Sequence, residues 1–286
     1  MNILVSCNDN YGMPLMVMLT SFLSMNPCSD KEKHTIYMLE TSLSDDMNEK
    51  IETCIQGFSA CYVRVHLAGN PFASAKTKPY ISKETYYRLL AAEYIPTELE
   101  RILWLDADII VRKDIRRFYE SSFDGNLGIA CGYAPAMQKL MYDNACSLKL
   151  QCPEMYFNAG VILLNLTEWR NKIMKEKILQ VVDSSKAKTY QFDDQDMINL
   201  LLDGNIRIED YRKYNCMIHS ITSAADLEYA KEHAAIVHFP GGAKPWKFND
   251  IHFADEWLNW YKECFGEAAK VRRVSYFRMK SLYDRL

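Results

Sequence analysis

Ile102-Leu103-Trp104-Leu105-Asp106-Ala107-Asp108-Ile109-Ile110-Val111 sets two carboxylates among eight apolar residues. A buried carboxylate costs several kcal/mol of lost hydration unless something cationic meets it. A short apolar run rich in Ile and Val reads as a buried strand, not a helix. If Asp106 and Asp108 stand where that strand ends, their i, i+2 spacing aims both side chains to one side. Such a pair suits a hard divalent cation that keeps open positions for phosphate oxygens. The stretch therefore predicts a metal–diphosphate site at the carboxyl end of a central strand.

Outward from this run, strand-like segments lie at 3–7, 34–39, 61–66, 127–131, 161–165 and 235–239, with 102–105 between them. Helical patterns alternate with them. Pro14 to Asn26 can start with proline in its first turn. Ser44 caps a segment in which Met47, Ile51 and Ile55 repeat every four residues. Glu84–Glu93 and Thr167–Asp183 read similarly, and Asp193–Asp203 opens on carboxylates with Gly204 just past its end. The alternation predicts an α/β fold with a mostly parallel central sheet and helices on both faces. Ligands of such sheets bind outside the carboxyl ends of the strands. The polar segment 67–83 reads either as a loop that orders over substrate or as a solvated connection.

Composition narrows the class. With 49% hydrophobic and 25% charged residues, the chain is globular. Its net charge of -3 argues against a nucleic-acid partner. No apolar run is long enough to span a bilayer, and Met1 to Asp9 does not read as a secretion signal. The 9 cysteines form no CxxC pair, which disfavours a zinc site and points to a reducing, cytoplasmic home. Residues 261–286 differ: Lys270, Arg272, Arg273, Arg278, Lys280 and Arg285 alternate with Val271, Tyr276, Phe277, Met279 and Leu282. This basic aromatic tail, set apart from a domain of residues 1–260, could attach peripherally to the inner membrane face; the alternative is a terminal helix docked on its own domain with a solvated basic face.

Four further clusters carry chemistry. Asn8-Asp9-Asn10-Tyr11 follows the first strand, where amides can read a uracil edge and an aromatic ring can stack on it. Arg88, in Thr85-Tyr86-Tyr87-Arg88-Leu89, can bridge a phosphate and a carboxylate, although taken alone a salt bridge on a helix surface is its simpler reading. His238-Phe239-Pro240-Gly241-Gly242-Ala243-Lys244-Pro245-Trp246 offers an imidazole at a strand end as a third metal ligand. Its glycines let backbone approach phosphate, and Lys244 supplies a point charge. Tyr156-Phe157-Asn158-Ala159-Gly160 and Asp193-Asp194-Gln195-Asp196 lie at element boundaries; helix capping accounts for one or two of these acidic residues, not three.

In this order the clusters resemble glycosyltransferase family 8, the retaining nucleotide-sugar transferases that include bacterial lipopolysaccharide galactosyl- and glucosyltransferases and the glycogenins. The resemblance covers roughly residues 1–260 and implies a GT-A fold. Carried over by position, it implies Asp106, Asp108 and His238 as ligands of Mn²⁺, with Mg²⁺ as the alternative. It implies donor contacts from Asn8, Asn10, Tyr11, Arg88, Ala107, Gly241, Gly242 and Lys244. Asp194 would position the donor sugar, Asn158 would contact donor or acceptor, and Gln195 would lie beneath the sugar ring, so Gln195 and Asp194 are the catalytic candidates. Asn8 departs from the Asp that many bacterial members carry there.

The activity this implies is transfer of a hexose from UDP-galactose or UDP-glucose to a saccharide or glycolipid hydroxyl, with retention, in lipopolysaccharide or other surface-glycan synthesis. An amide oxygen is a weak nucleophile, which favours a front-face route over a two-step one through Gln195 or Asp194. Asp108→Asn is expected to weaken metal affinity more than folding, since it removes a buried charge. One alternative is a self-glycosylating glycogenin-like scaffold, for which 18 tyrosines supply acceptors. Another is a phosphotransferase of the haloacid-dehalogenase type. That motif wants a hydroxyl residue where Ile110 stands.

Overall fold

The computed structural model describes residues 1–29, 32–67, 72, 83–182, 190–277 and 279. Most of the irregular segment at 67–83, together with Arg278 and the tail from Lys280 onward, lies outside these residues.

Among the described residues ten strands form two sheets: β1 (Asn2–Val5), β2 (His34–Glu40), β3 (Ala60–His66), β4 (Arg101–Leu105), β5 (Ile109–Val111), β6 (Gly128–Cys131), β7 (Asn158–Asn165), β8 (Ile206–Glu209), β9 (Cys216–Met217) and β10 (Ile236–His238). The large sheet runs β3-β2-β1-β4-β7-β6-β8 and the small one β5-β10-β9. In the large sheet β7 pairs antiparallel with both β4 and β6, while every other pairing is parallel, so the expected mostly parallel α/β sheet is present with one strand reversed.

Alternation along the central strands explains why helices cover both faces. Leu4, Ile102, Trp104, Ile162 and Leu164 join one apolar cluster. Their neighbours Ile3, Val5, Leu103, Leu105, Val161 and Leu163 join the other. The helix signal held where the cap was clear: Ser44 accepts from the Met47 N–H; in the same way Asn165 accepts from the Glu168 N–H and caps the helix Leu166–Lys172. Helix signals failed in three places. The first helix starts at Asp9, capped by Asn8, so Pro14 lies inside it. Thr167–Asp183 is broken, giving helices Leu166–Lys172 and Lys175–Val182 around an extended Ile173. The segment around Arg88 is a 3₁₀ run, Lys83–Leu90, that leads into a short helix, Ala91–Tyr94.

The ten residues that decide the fold are not one strand. β4 ends at Leu105, the chain turns through Asp106–Asp108, and β5 begins in the other sheet against β10. Two backbone bonds fasten this corner: Asp106 N–H donates to the Gly160 carbonyl at 2.9 Å, and Phe239 N–H to the Asp108 carbonyl at 2.9 Å. The acidic pair is thus wedged between the start of β7 and the end of β10.

The boundary expected at residue 260 falls inside the helix Ala254–Phe265. Beyond that helix the chain still packs on the domain. Val271 and Tyr276 lie against the cluster of Val237, Phe239 and Trp257, and the Asp250 carboxylate accepts from the Ser275 hydroxyl and the Tyr276 N–H. Among the described residues no helix is long and apolar enough to cross a membrane.

Candidate active site

The acidic corner gathers its partners from three strand ends. One ligand atom each from Asp106, Asp108 and His238 lies within 4.8 Å of the other two. His238 Nε2 stands 3.3 Å from Asp108 Oδ1 and 3.9 Å from Asp106 Oδ2. Two carboxylate oxygens and an imidazole nitrogen form a donor set that could hold a divalent metal ion.

The two carboxylates differ in surroundings. Asp106 is about a quarter exposed and accepts from Trp104 Nε1 at 2.7 Å and Arg88 Nη2 at 3.0 Å. Asp108 is buried and pairs with the Lys244 ammonium, itself buried, which also donates to the Phe239 carbonyl at 2.7 Å. Burial alone would raise the Asp108 pKa. The Lys244 charge, together with the His238 contact, outweighs it and holds the carboxyl below its ordinary range.

Arg88 is not on a helix surface: it is 1% exposed. Its guanidinium lies over the Trp104 ring at 4.2 Å, donates to the Thr85 and Ala159 carbonyls, and bridges Asp106 to Asp194 Oδ2 at 3.3 Å. Asp194 is buried, which pushes its pKa up; Arg88 pulls it partly back and Asp106 adds to the rise, for a value of about 6. An unfolded aspartate titrates near about 3.9. Between these pH values the folded chain keeps a proton that the unfolded chain has released. Stability contributed here is therefore full below about pH 4 and lost as pH rises through about 6. Relative to Asp194→Asn, the parent should lose up to about 3 kcal/mol of unfolding free energy from pH 4 to pH 7. Paired urea melts across that range check this, and a constant difference would refute it.

Gln195 stands at the centre of a second network. Its Oε1 accepts from Tyr133 Oη at 2.9 Å, Asn158 Nδ2 at 3.0 Å and the Ala159 N–H at 3.3 Å, while its Nε2 donates to Tyr156 Oη at 3.0 Å. Asp196, fully buried, anchors this cluster by accepting from Tyr156, Asn144 and the Phe192 N–H. Its role is internal. Asp193 opens the helix Asp194–Leu202 at a positive φ of 46°, with no side-chain capping bond, so capping does not account for the acidic run.

The remaining candidates flank the corner. Tyr11 packs edge-on against Trp246, ring centroids 5.8 Å apart, which joins the end of β1 to the Lys-Pro-Trp segment. Asn8 caps the first helix through Asn10 N–H and donates to Glu84 Oε2 at 3.4 Å; Asn10 is exposed. Gly241 adopts a φ of +71°, which a residue with a Cβ rarely takes, and Gly242 faces open space. Ala107 is buried in the turn. At Gly160 a Cβ would fall on His238 Cε1, so the glycine of Phe-Asn-Ala-Gly is required by packing on the imidazole. The sequence reading missed Asn215, Tyr133 and Trp104 as site residues. Asn215 carries no motif; its only trace is an amide next to the short apolar run of β9.

The model of the family described as Glycosyl transferase family 8 matches residues 2–250. A lipopolysaccharide 1,2-glucosyltransferase of Escherichia coli is 24% identical over 276 residues, covering 90% of this chain and 79% of that protein. A lipopolysaccharide 1,3-galactosyltransferase of Salmonella typhimurium is 26% identical over 260 residues, with 86% and 72% covered. The crystal structure of galactosyltransferase LgtC with donor and acceptor sugar analogues superposes with a TM-score of 0.77 at 22% identity, covering 98% of this chain and 99% of that one. The shared fold is GT-A.

Proposed function

The chain belongs to glycosyl transferase family 8, and on that premise we propose that it transfers galactose or glucose from a UDP-sugar to an acceptor hydroxyl, with retention and with Mn²⁺. The observation that carries this reading is the convergence of Asp106, Asp108 and His238 at the carboxyl end of a central strand. Its relatives include both a glucosyl- and a galactosyltransferase of lipopolysaccharide. A saccharide or glycolipid of a surface glycan is accordingly the acceptor class. The family match leaves no support for a phosphotransferase.

In this reading Tyr11, Asn8 and Asn10 receive the uridine at the end of β1. Gly241, Gly242, Ala107 and Lys244 receive the diphosphate. When bound, the metal would supply positive charge to the departing diphosphate. Lys244 adds a second positive group at Asp108, preorganised because Trp246 and Phe239 hold it in place. Arg88 and Asp194 orient the sugar, with Asn158 and Gln195 along its other edge. The Gln195 oxygen already accepts three hydrogen bonds, which leaves it little electron density to attack a sugar carbon. This supports the front-face route, in which the leaving phosphate takes the acceptor proton. Gln195→Ala should therefore keep measurable transfer, reduced roughly 10²-fold as for the loss of one positioning contact. Complete loss of transfer with intact UDP binding would favour the two-step route.

Calorimetric titration of UDP with and without Mn²⁺, followed by a hydrolysis screen of UDP-sugars, tests the function. Metal-dependent binding and release of one hexose are expected. Equal binding without metal would overturn the proposal. Phe277, exposed at the end of the docked segment, and the basic residues near it support peripheral contact with an anionic membrane, the location we propose. Because 271–277 pack on the domain, removal of 278–286 is the variant to test: anionic-vesicle binding should fall, and unchanged binding would refute the contact.

A further inference from the structure

Asn215 is fully buried between the short helix Tyr211–Tyr214 and β9, whose Met217 pairs with His238 of β10. Its side chain makes two bonds, to Asn158 Oδ1 at 2.8 Å and to His238 Nδ1 at 2.9 Å. A backbone group fixes which atom is which. The Gly160 N–H can only donate, and it donates to Asn158 Oδ1 at 3.0 Å. The Asn215 atom facing that oxygen must then be its amide nitrogen, so its oxygen faces the imidazole. An amide oxygen only accepts, and His238 Nδ1 must therefore carry a proton. In the neutral ring this leaves the Nε2 lone pair aimed at the two carboxylates. Lone pair and carboxylate oxygens repel unless a cation stands among them. The ring cannot escape by rotating toward β7, because Gly160 packs directly on it.

We propose that Asn215 is a positioning residue that locks His238 in the Nδ1–H tautomer, presenting Nε2 to the metal, and that it ties this ligand to Asn158 on the sugar side of the site. The proposal rests on the metal-dependent reading above and deepens it. With the opposite tautomer a proton on Nε2 would point at the cation, and Asp108 would stabilise that wrong form by accepting it. Partners that orient a metal-ligating histidine contribute about 10- to 100-fold in metal affinity.

Two substitutions separate the two bonds of Asn215. Asn215→Leu removes both and should weaken Mn²⁺ binding about 10- to 100-fold by calorimetry. Asn215→Asp keeps an acceptor for Nδ1–H but cannot donate to Asn158, so Mn²⁺ affinity should stay near the parent's while kcat falls. The tautomer itself is read from ¹⁵N shifts of ¹⁵N-histidine-labelled, metal-free protein: His238 should show a protonated Nδ1 in the parent and in Asn215→Asp, and a tautomer mixture in Asn215→Leu. A parent whose Nδ1 is unprotonated and whose Nε2 carries the proton, or Asn215→Leu binding Mn²⁺ like the parent, would overturn the proposal. Failure of the parent to bind Mn²⁺ at all would instead strike the metal-dependent function, while the shifts would still decide the tautomer. Should Asn215→Leu fail to fold, the parent spectrum and Asn215→Asp decide alone.

Discussion

Asp106→Ala is expected to abolish metal-dependent UDP binding and to lower transfer by roughly 10²–10³-fold or more, the scale of losing one stabiliser of developing charge, while the protein still folds. Asp106 is the more exposed of the pair, and its removal leaves Arg88 still bridged to Asp194 and two backbone carbonyls. Asp108→Ala should behave differently. It strips the buried Lys244 of its counter-charge, and breaking a buried pair from one side costs about 3–5 kcal/mol. Urea midpoints and UDP titrations on both variants separate these outcomes. Equal stability of the two would contradict the distinction. The sequence alone predicted that Asp108→Asn would weaken metal affinity more than folding stability. That expectation assumed a carboxylate facing only a metal, and the Lys244 contact removes the assumption.

Arg88→Met carries the second large effect. Methionine keeps much of the apolar stem over Trp104 but gives up every donor of the guanidinium. Asp106 and Asp194 then face each other without the cation between them, and the Thr85 and Ala159 carbonyls lose their partner. The expected loss is about 3–5 kcal/mol of folding free energy, together with protonation of Asp194 at neutral pH, since its largest charge-stabilising partner is gone. Arg88→Lys should recover little, because one ammonium cannot span four acceptors with a planar fork. Unfolding midpoints for the two variants check this; a lysine variant as stable as the parent would show that charge alone, and not the bridge, is what matters.

The legible part of the site was the part carried by strand ends. Apolar runs that stop at Asp106 and His238, and one that starts at Asn158, announce buried strands with a polar residue at the lip, and the period-2 and capping rules are local enough to be read directly. The acidic corner, the glycine loop and the order of the clusters followed from that. Arg88 was legible as a phosphate or carboxylate binder but not as a buried one. Its neighbours Trp104, Asp194 and Ala159 are distant in the chain, and burial of a charge depends on who arrives to meet it.

By itself, then, the sequence determined the α/β layering, because hydrophobic period and caps act over a few residues, and it marked which carboxylates and imidazole had to find a partner. Only the tertiary structure decided that the deciding run splits between two sheets, that Lys244 neutralises Asp108, and that Asn215 orients His238. Each of these depends on hydrogen bonds or charges between residues from 23 to 136 positions apart. No local rule spans such separations: the desolvation cost of one buried group is met by whichever distant group the folded chain brings to it.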